Sequence, residues 1–111
     1  MGGSNLFTGT LDILILRAVI LGPLHGYAIG RWIRNQSKDV LQIDEGVLYP
    51  ALHRLTRRGL LKPKWGTTET GRRARFYTIT PNGKKQLASE SSRWLEYSEA
   101  VRTVLESVES R

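Results

Sequence analysis

Residues Asp44 to Arg58, DEGVLYPALHRLTRR, constrain this chain more than any other stretch, because they read as one helix with two unlike faces. Leu48, Ala51, Leu52 and Leu55 recur at i, i+3, i+4 and i+7, so one stripe is available for burial. Opposite it lie Gly46, Pro50, His53 and Arg57, flanked by Tyr49 and Arg54, a cationic and hydrogen-bonding face. Asp44 suits an N-cap, Glu45 in the first turn suits the positive end of the helix dipole, and Gly59 suits the C-terminal cap. Pro50 conflicts with this pattern, since a proline inside a helix lacks its donor, clashes with the preceding turn and costs about 3 kcal/mol. Either Gly46, one turn back, absorbs the clash through a kink, or the helix starts nearer Tyr49 with Pro50 in its first turn. The kinked helix is preferred, because a late start strands Leu48 outside the apolar stripe.

The rest of the chain must cover that stripe. At 111 residues it holds one small domain with a modest core, of a size that gains from a partner subunit. Thr8 or Thr10 caps a first helix running to about Leu21, where Ile13, Leu14, Ile15, Leu16, Ala18, Val19 and Ile20 leave almost no polar side. Its apolar run, Leu11 to Leu21, is too short to span a membrane and is interrupted by Asp12 and Arg17. With no basic segment ahead of it, it does not read as an export signal, so a cytoplasmic protein is expected. Gly22-Pro23 ends it, and Leu24-His25-Gly26 turns into a second helix, Tyr27 to Gln36, with Ile29, Trp32 and Ile33 inward. Val40 to Ile43 is short and rich in β-branched residues, which predicts a minor strand.

After Gly59 the period falls from 3.6 to 2. Leu61, Pro63 and Trp65 alternate with Lys62 and Lys64, giving one packed and one basic face. Ala74 to Thr80 alternates again, with Arg75, Tyr77 and Ile79 on one side and Phe76 and Thr78 on the other. Gly66 to Arg73 joins the two as a hairpin loop, and Pro63 predicts an edge strand. Thr80-Pro81 opens a last helix, Thr as N-cap and Pro at the first position. Along it Leu87, Trp94, Val101 and Val108 recur every seven residues, with Tyr97 and Val104 three after two of them and Leu95 and Leu105 widening the seam. Nothing else in the chain beyond the first helix is long enough to cover such a seam, so a second copy is expected there. The organisation is therefore a flexible N-terminus over 1–7, a domain over 8–80 and a dimerisation helix over 81–111.

Charge narrows the function. The net charge is +7, and from His53 to Lys85 ten lysines and arginines face Glu69 alone, so the positive field is a patch. There is no cysteine, which excludes disulfides, thiol catalysis and cysteine-type zinc sites. His53 has no companion at ligand spacing, so no metal is expected, and no cofactor motif is present. No nucleophile with a base at readable spacing, phosphate loop or carboxylate pair argues for an enzyme. Three helices followed by a hairpin with a basic loop is the order of a winged helix-turn-helix, mainly α with a small β-hairpin. One of its helices fits a major groove about 12 Å wide, and Arg72 and Arg73 are placed to track the neighbouring backbone or minor groove.

Three runs carry a family resemblance: LHGYAI at Leu24 to Ile29, GVLYPALHRLTRRGLL at Gly46 to Leu61, and RFYTITPNGKKQL at Arg75 to Leu87. Together they resemble the PadR family of bacterial transcriptional regulators, and more narrowly its short members with one C-terminal helix. The resemblance implies a homodimeric repressor on operator DNA, with some members holding small aromatic molecules at the dimer interface. By that resemblance Tyr49, His53, Arg54 and Arg57 contact DNA from the recognition helix, and Arg72, Arg73 and Arg75 from the wing. Leu87, Trp94, Tyr97, Val101, Val104 and Val108 form the dimer interface, where Trp94 and Tyr97 could stack a planar effector or simply fill the seam. Val47 stands where related sequences often carry a small hydroxyl residue, which removes a polar contact near the helix start. The competing reading is a winged-helix interaction module whose basic face binds an acidic protein.

Overall fold

The computed structural model describes residues 2–108, with side chains from residue 9 onward. Its elements are α1 (Gly2–Ala18), β1 (Leu24–His25), α2 (Gly26–Gln36), α3 (Glu45–Arg57), β2 (Leu61–Thr67), β3 (Arg73–Ile79) and α4 (Pro81–Leu105). The helix assigned from Gly2 overlaps the segment read as a flexible end, and Met1 lies outside the described residues. Thr10 is not a cap: it sits inside α1, and its hydroxyl accepts a hydrogen bond from the Trp94 indole at 3.0 Å. The helix also stops at Ala18, a turn before the expected Leu21, and Leu21 is fully exposed.

The core lies where α1, α2 and α3 meet. Ile15, Ile29, Leu52 and Leu55 are completely buried, joined by Leu16, Val19, Ile33, Leu48 and Ala51, so the stripe read from the sequence is the face that α3 buries. Burying such side chains contributes about 1.5–3 kcal/mol each. Trp32, the third member of the α2 stripe, is only partly buried and packs at the rim of this cluster.

α3 begins where its cap places it. The Asp44 carboxylate accepts the Val47 N–H at 3.1 Å, and the helix continues through Pro50 without a break. Gly46 and Pro50 lie on the exposed side, so the Gly46 carbonyl that Pro50 cannot serve faces water. At the other end Leu60 N–H bonds the Leu55 carbonyl and Gly59 N–H bonds that of Thr56, each at 3.0 Å. This pair of bonds needs Gly59 in the left-handed region, and its φ is +76°.

The sheet is three-stranded and antiparallel in the order β1-β3-β2. Its third strand is not Val40 to Ile43, which forms no strand; Val40 and Leu41 are exposed beside a turn with Lys38 and Asp39 at positive φ. Instead Leu24 and His25 pair with Tyr77 and Phe76, taking the free side of β3. β2 is an edge strand, as Pro63 requires. It runs two residues beyond Trp65, so the hairpin loop is the shorter Thr68 to Arg72.

α4 starts on a Thr80 cap, whose hydroxyl accepts the Gly83 N–H at 2.9 Å, with Pro81 in the first turn. Its early turns pack back on the domain: Gly83 and Leu87 are buried, and a Cβ on Gly83 would collide with the Leu60 carbonyl oxygen. Leu87 therefore belongs to the chain's own core and not to a free seam. Trp94 is half-buried against α1, while Leu95, Tyr97, Val101, Val104 and Leu105 are exposed. The helix ends at Leu105, so Val108, also exposed, lies past it and cannot continue the heptad pattern. The projecting helix stretches the molecule to 61 Å along its longest axis against 28 and 27 Å across. Among the described residues, no helix is long and apolar enough to cross a membrane.

Candidate nucleic-acid interface

The outer face of α3 and the hairpin carry a cluster of positive charge without carboxylate partners among the described residues. Along α3, Gly46, Val47, Tyr49, Pro50, His53 and Arg57 are all exposed. Tyr49 lies across Gly26 at the start of α2, close enough that a Cβ on that glycine would be 2.7 Å from its ring. Burial there, then the Glu45 carboxylate and Tyr77, hold its hydroxyl above the ordinary phenol value, so it stays a neutral donor. Behind it His25 caps α2, its Nδ1 accepting the Ala28 N–H at 3.4 Å, while its ring meets Phe76 edge-on at 5.3 Å. This local role matches the turn in which the sequence placed it.

Arg54 behaves differently from its neighbours. Its Nη2 donates to Asp12 Oδ1 on α1 at 2.6 Å, and Arg58 reaches the other carboxylate oxygen at 3.6 Å. Arg54 is thus turned toward α1, with Nε buried and unpartnered among the protein atoms. The helical wheel put it on the border of the outer face; the border residue turns inward to meet a carboxylate on α1, 42 residues away in sequence. Asp12 was the overlooked residue. Its signal was a single acidic side chain within an otherwise apolar helix, a position that calls for a cation.

The wing is stiff. Thr68 N–H bonds the Arg72 carbonyl at 2.8 Å, Gly71 N–H bonds the Thr68 carbonyl at 2.9 Å, and the Thr68 hydroxyl accepts the Arg72 N–H at 3.1 Å. Gly71 supplies the positive φ, +84°, that closes this turn. Antiparallel pairing sets Trp65 opposite Arg75 and Thr67 opposite Arg73. Trp65, read as part of a packed face, is instead 54% exposed, because the face of Leu61 and Pro63 leaves the core before it reaches the fifth strand residue.

Charge pairing divides the arginines. Arg34, Arg54, Arg58, Arg93 and Arg102 each have a carboxylate within 4 Å. Among the described residues, Arg17, Arg31, Arg57, Arg72, Arg73 and Arg75 have none and are exposed; Arg17 and Arg31 stand singly on α1 and α2, Arg31 over the Tyr27 ring, while the other four belong to α3 and the hairpin. Two residues of the expected tail site also come together elsewhere: Trp94 and Tyr97 line an open groove of about 250 Å³ between α1 and α4, with Thr10, Ile13, Glu90 and Arg93. Among the described residues, no cluster of His, Asp and Glu could hold a metal ion.

Comparison with known proteins decides the family. Residues 15–89 match the family model described as the transcriptional regulator PadR-like family. This chain belongs to that family. A solved transcriptional regulator from Clostridium thermocellum superposes with a TM-score of 0.79 at 31% identity, over 89% of this chain and 96% of that one. An uncharacterised protein of Lysinibacillus sphaericus is 30% identical over 106 residues, 96% of this chain and 97% of its own length. A transcriptional regulator of Mycobacterium tuberculosis is 39% identical over 77 residues, 68% of each chain. The winged-helix fold with a long C-terminal helix is thus that of PadR-like regulators, which act on transcription and are not enzymes.

Proposed function

We propose that this PadR-like chain is a homodimeric, sequence-specific repressor. α3 enters the major groove with Tyr49, His53 and Arg57 toward bases and phosphates, and Arg72, Arg73 and Arg75 of the wing follow the adjacent backbone or minor groove. The observation that carries the reading is a cluster of cations: Arg57 on the outer face of α3 and Arg72, Arg73 and Arg75 of the wing are exposed together with no carboxylate of the described residues within 4 Å, and Lys62 and Lys64 are exposed on the adjoining strand. Arg54 and Arg58 serve the reading indirectly, as the charged clamp through which Asp12 fixes the angle of α3 on α1. The exposed half of α4, Tyr97, Val101 and Val104 above all, meets a second copy. Dimerisation sets two recognition helices about one DNA turn apart, 34–36 Å. The groove beside Trp94 and Tyr97 is the place for a small aromatic effector, closed by the partner.

Base contacts specify and phosphate contacts position, which separates the proposed roles. On a duplex selected by this protein from random DNA, Arg57→Ala is expected to weaken binding by about 1–3 kcal/mol and to affect a random duplex less. Arg72→Ala is expected to weaken both alike and to flatten the salt dependence by about 0.9 in log–log slope. Equal losses for both variants on both duplexes overturn the assignment. Failure to enrich any duplex, with capture of an acidic protein instead, overturns DNA as the partner.

A further inference from the structure

Trp65 is a large apolar side chain that the core does not cover, yet it is not bare. The Arg73 guanidinium lies 4.3 Å from the centre of its ring and that of Arg75 lies 5.7 Å away. Strand pairing makes the arrangement systematic: Arg75 is the direct cross-strand partner of Trp65, and Arg73 is the diagonal one, two residues along the same face. The base of this stack is rigid. Gly66 is pressed against Phe76, where a Cβ would be 2.8 Å from the ring, and the Thr68–Arg72 turn is bonded across itself. Neither arginine has a carboxylate partner among the described residues.

Stacking leaves a guanidinium a particular kind of freedom. The contact with the ring occupies its flat face, while its five N–H donors lie in the plane and point outward. A long, rotamer-rich side chain is thereby ordered without using any of the groups that bind phosphate. We propose that Trp65 is a positioning residue of the wing, a platform that holds Arg73 and Arg75 with their donor edges free for DNA phosphates. The proposal rests on the reading that the wing meets DNA. Its specific content is that the ring acts through the two arginines and makes no contact of its own.

A double-mutant cycle on the full-length protein tests this, using fluorescence anisotropy on the selected duplex and on a random one across a salt series. Trp65→Ala is expected to weaken both about five-fold, the effect of releasing two ordered arginines, with the salt slope unchanged because the charges remain. Trp65→Phe is expected to keep most of the affinity. Trp65→Met, which retains apolar bulk without a π face, is expected to lose it like alanine, so the test stands even if the alanine variant does not fold. Arg73→Ala with Arg75→Ala is expected to flatten the slope by about 1.8 for two lost phosphate contacts, and adding Trp65→Ala to that pair is expected to cost nothing more. The proposal is overturned if the methionine variant binds like wild type, or if losing the ring costs as much without the arginines as with them, which makes Trp65 a direct contact. An unchanged slope in the double arginine variant removes the wing from DNA altogether, and no binding to any duplex refutes the wider functional reading.

Discussion

The first half of α4 is committed to its own chain, while the second half is not. From Gly83 to Trp94 the helix lies against the domain: Gly83 touches the backbone after α3, Leu87 joins the core, and the Trp94 indole is held by Thr10 of α1. From Leu95 to Leu105 the same helix leaves Leu95, Tyr97, Val101, Val104 and Leu105 in water. One seven-residue rhythm runs through both halves. The rhythm reports that an apolar stripe will be covered; it does not report by what. α1 covers the first half, where Thr10 holds Trp94, and the apolar side chains of the second half stay exposed.

Substitutions can break this contrast from either side. The largest effect is expected at Gly83→Ala, where the new methyl meets the rigid Leu60 carbonyl and cannot be accommodated by a side-chain shift. Overpacking of this kind costs about 3 kcal/mol at the upper end of its usual range, so thermal unfolding should fall by 10 °C or more on the scale of about 4–8 °C per kcal/mol for a small domain. An unchanged melting temperature would mean that α4 does not dock as described. In the second half, Val101→Glu with Val104→Glu is expected to change the fold of the monomer by only about 0.5 kcal/mol, the range of exposed substitutions. The same pair should convert a dimer to a monomer in sedimentation and weaken operator binding. A persisting dimer would move the proposed interface to another surface, such as α1.

What could be read in the sequence followed from how local its cause was. α3 was legible with its cap, stripe and C-terminal glycine because each signal lies within the helix or one residue outside it. The start of α4 at Thr80-Pro81 was legible for the same reason. Two-residue β1 was not, since Leu24 and His25 become a strand only by pairing with residues more than 50 positions later. Val40 to Ile43 had the right composition and no neighbour to pair with, which shows that β propensity expresses packing more than an intrinsic preference. At the candidate site, six of the seven residues assigned to DNA, Tyr49, His53, Arg57, Arg72, Arg73 and Arg75, are exposed on α3 and the hairpin. Arg54 was misjudged in orientation because its partner Asp12 is remote in sequence. Trp65 looked like a core residue by alternation alone, and only the register shows the arginines above it.

The two halves of α4 thus differ in what covers them, and in the proposed dimer the spacing of the paired α3 helices depends on the second half. Hydroxyl-radical footprinting of the full-length protein on its selected duplex tests that claim most directly. The account predicts two symmetric protected patches with centres about 10 base pairs apart, each flanked by a further protected stretch that disappears in the Arg73→Ala, Arg75→Ala variant. A single patch, or two whose separation does not match a helical turn, would contradict it.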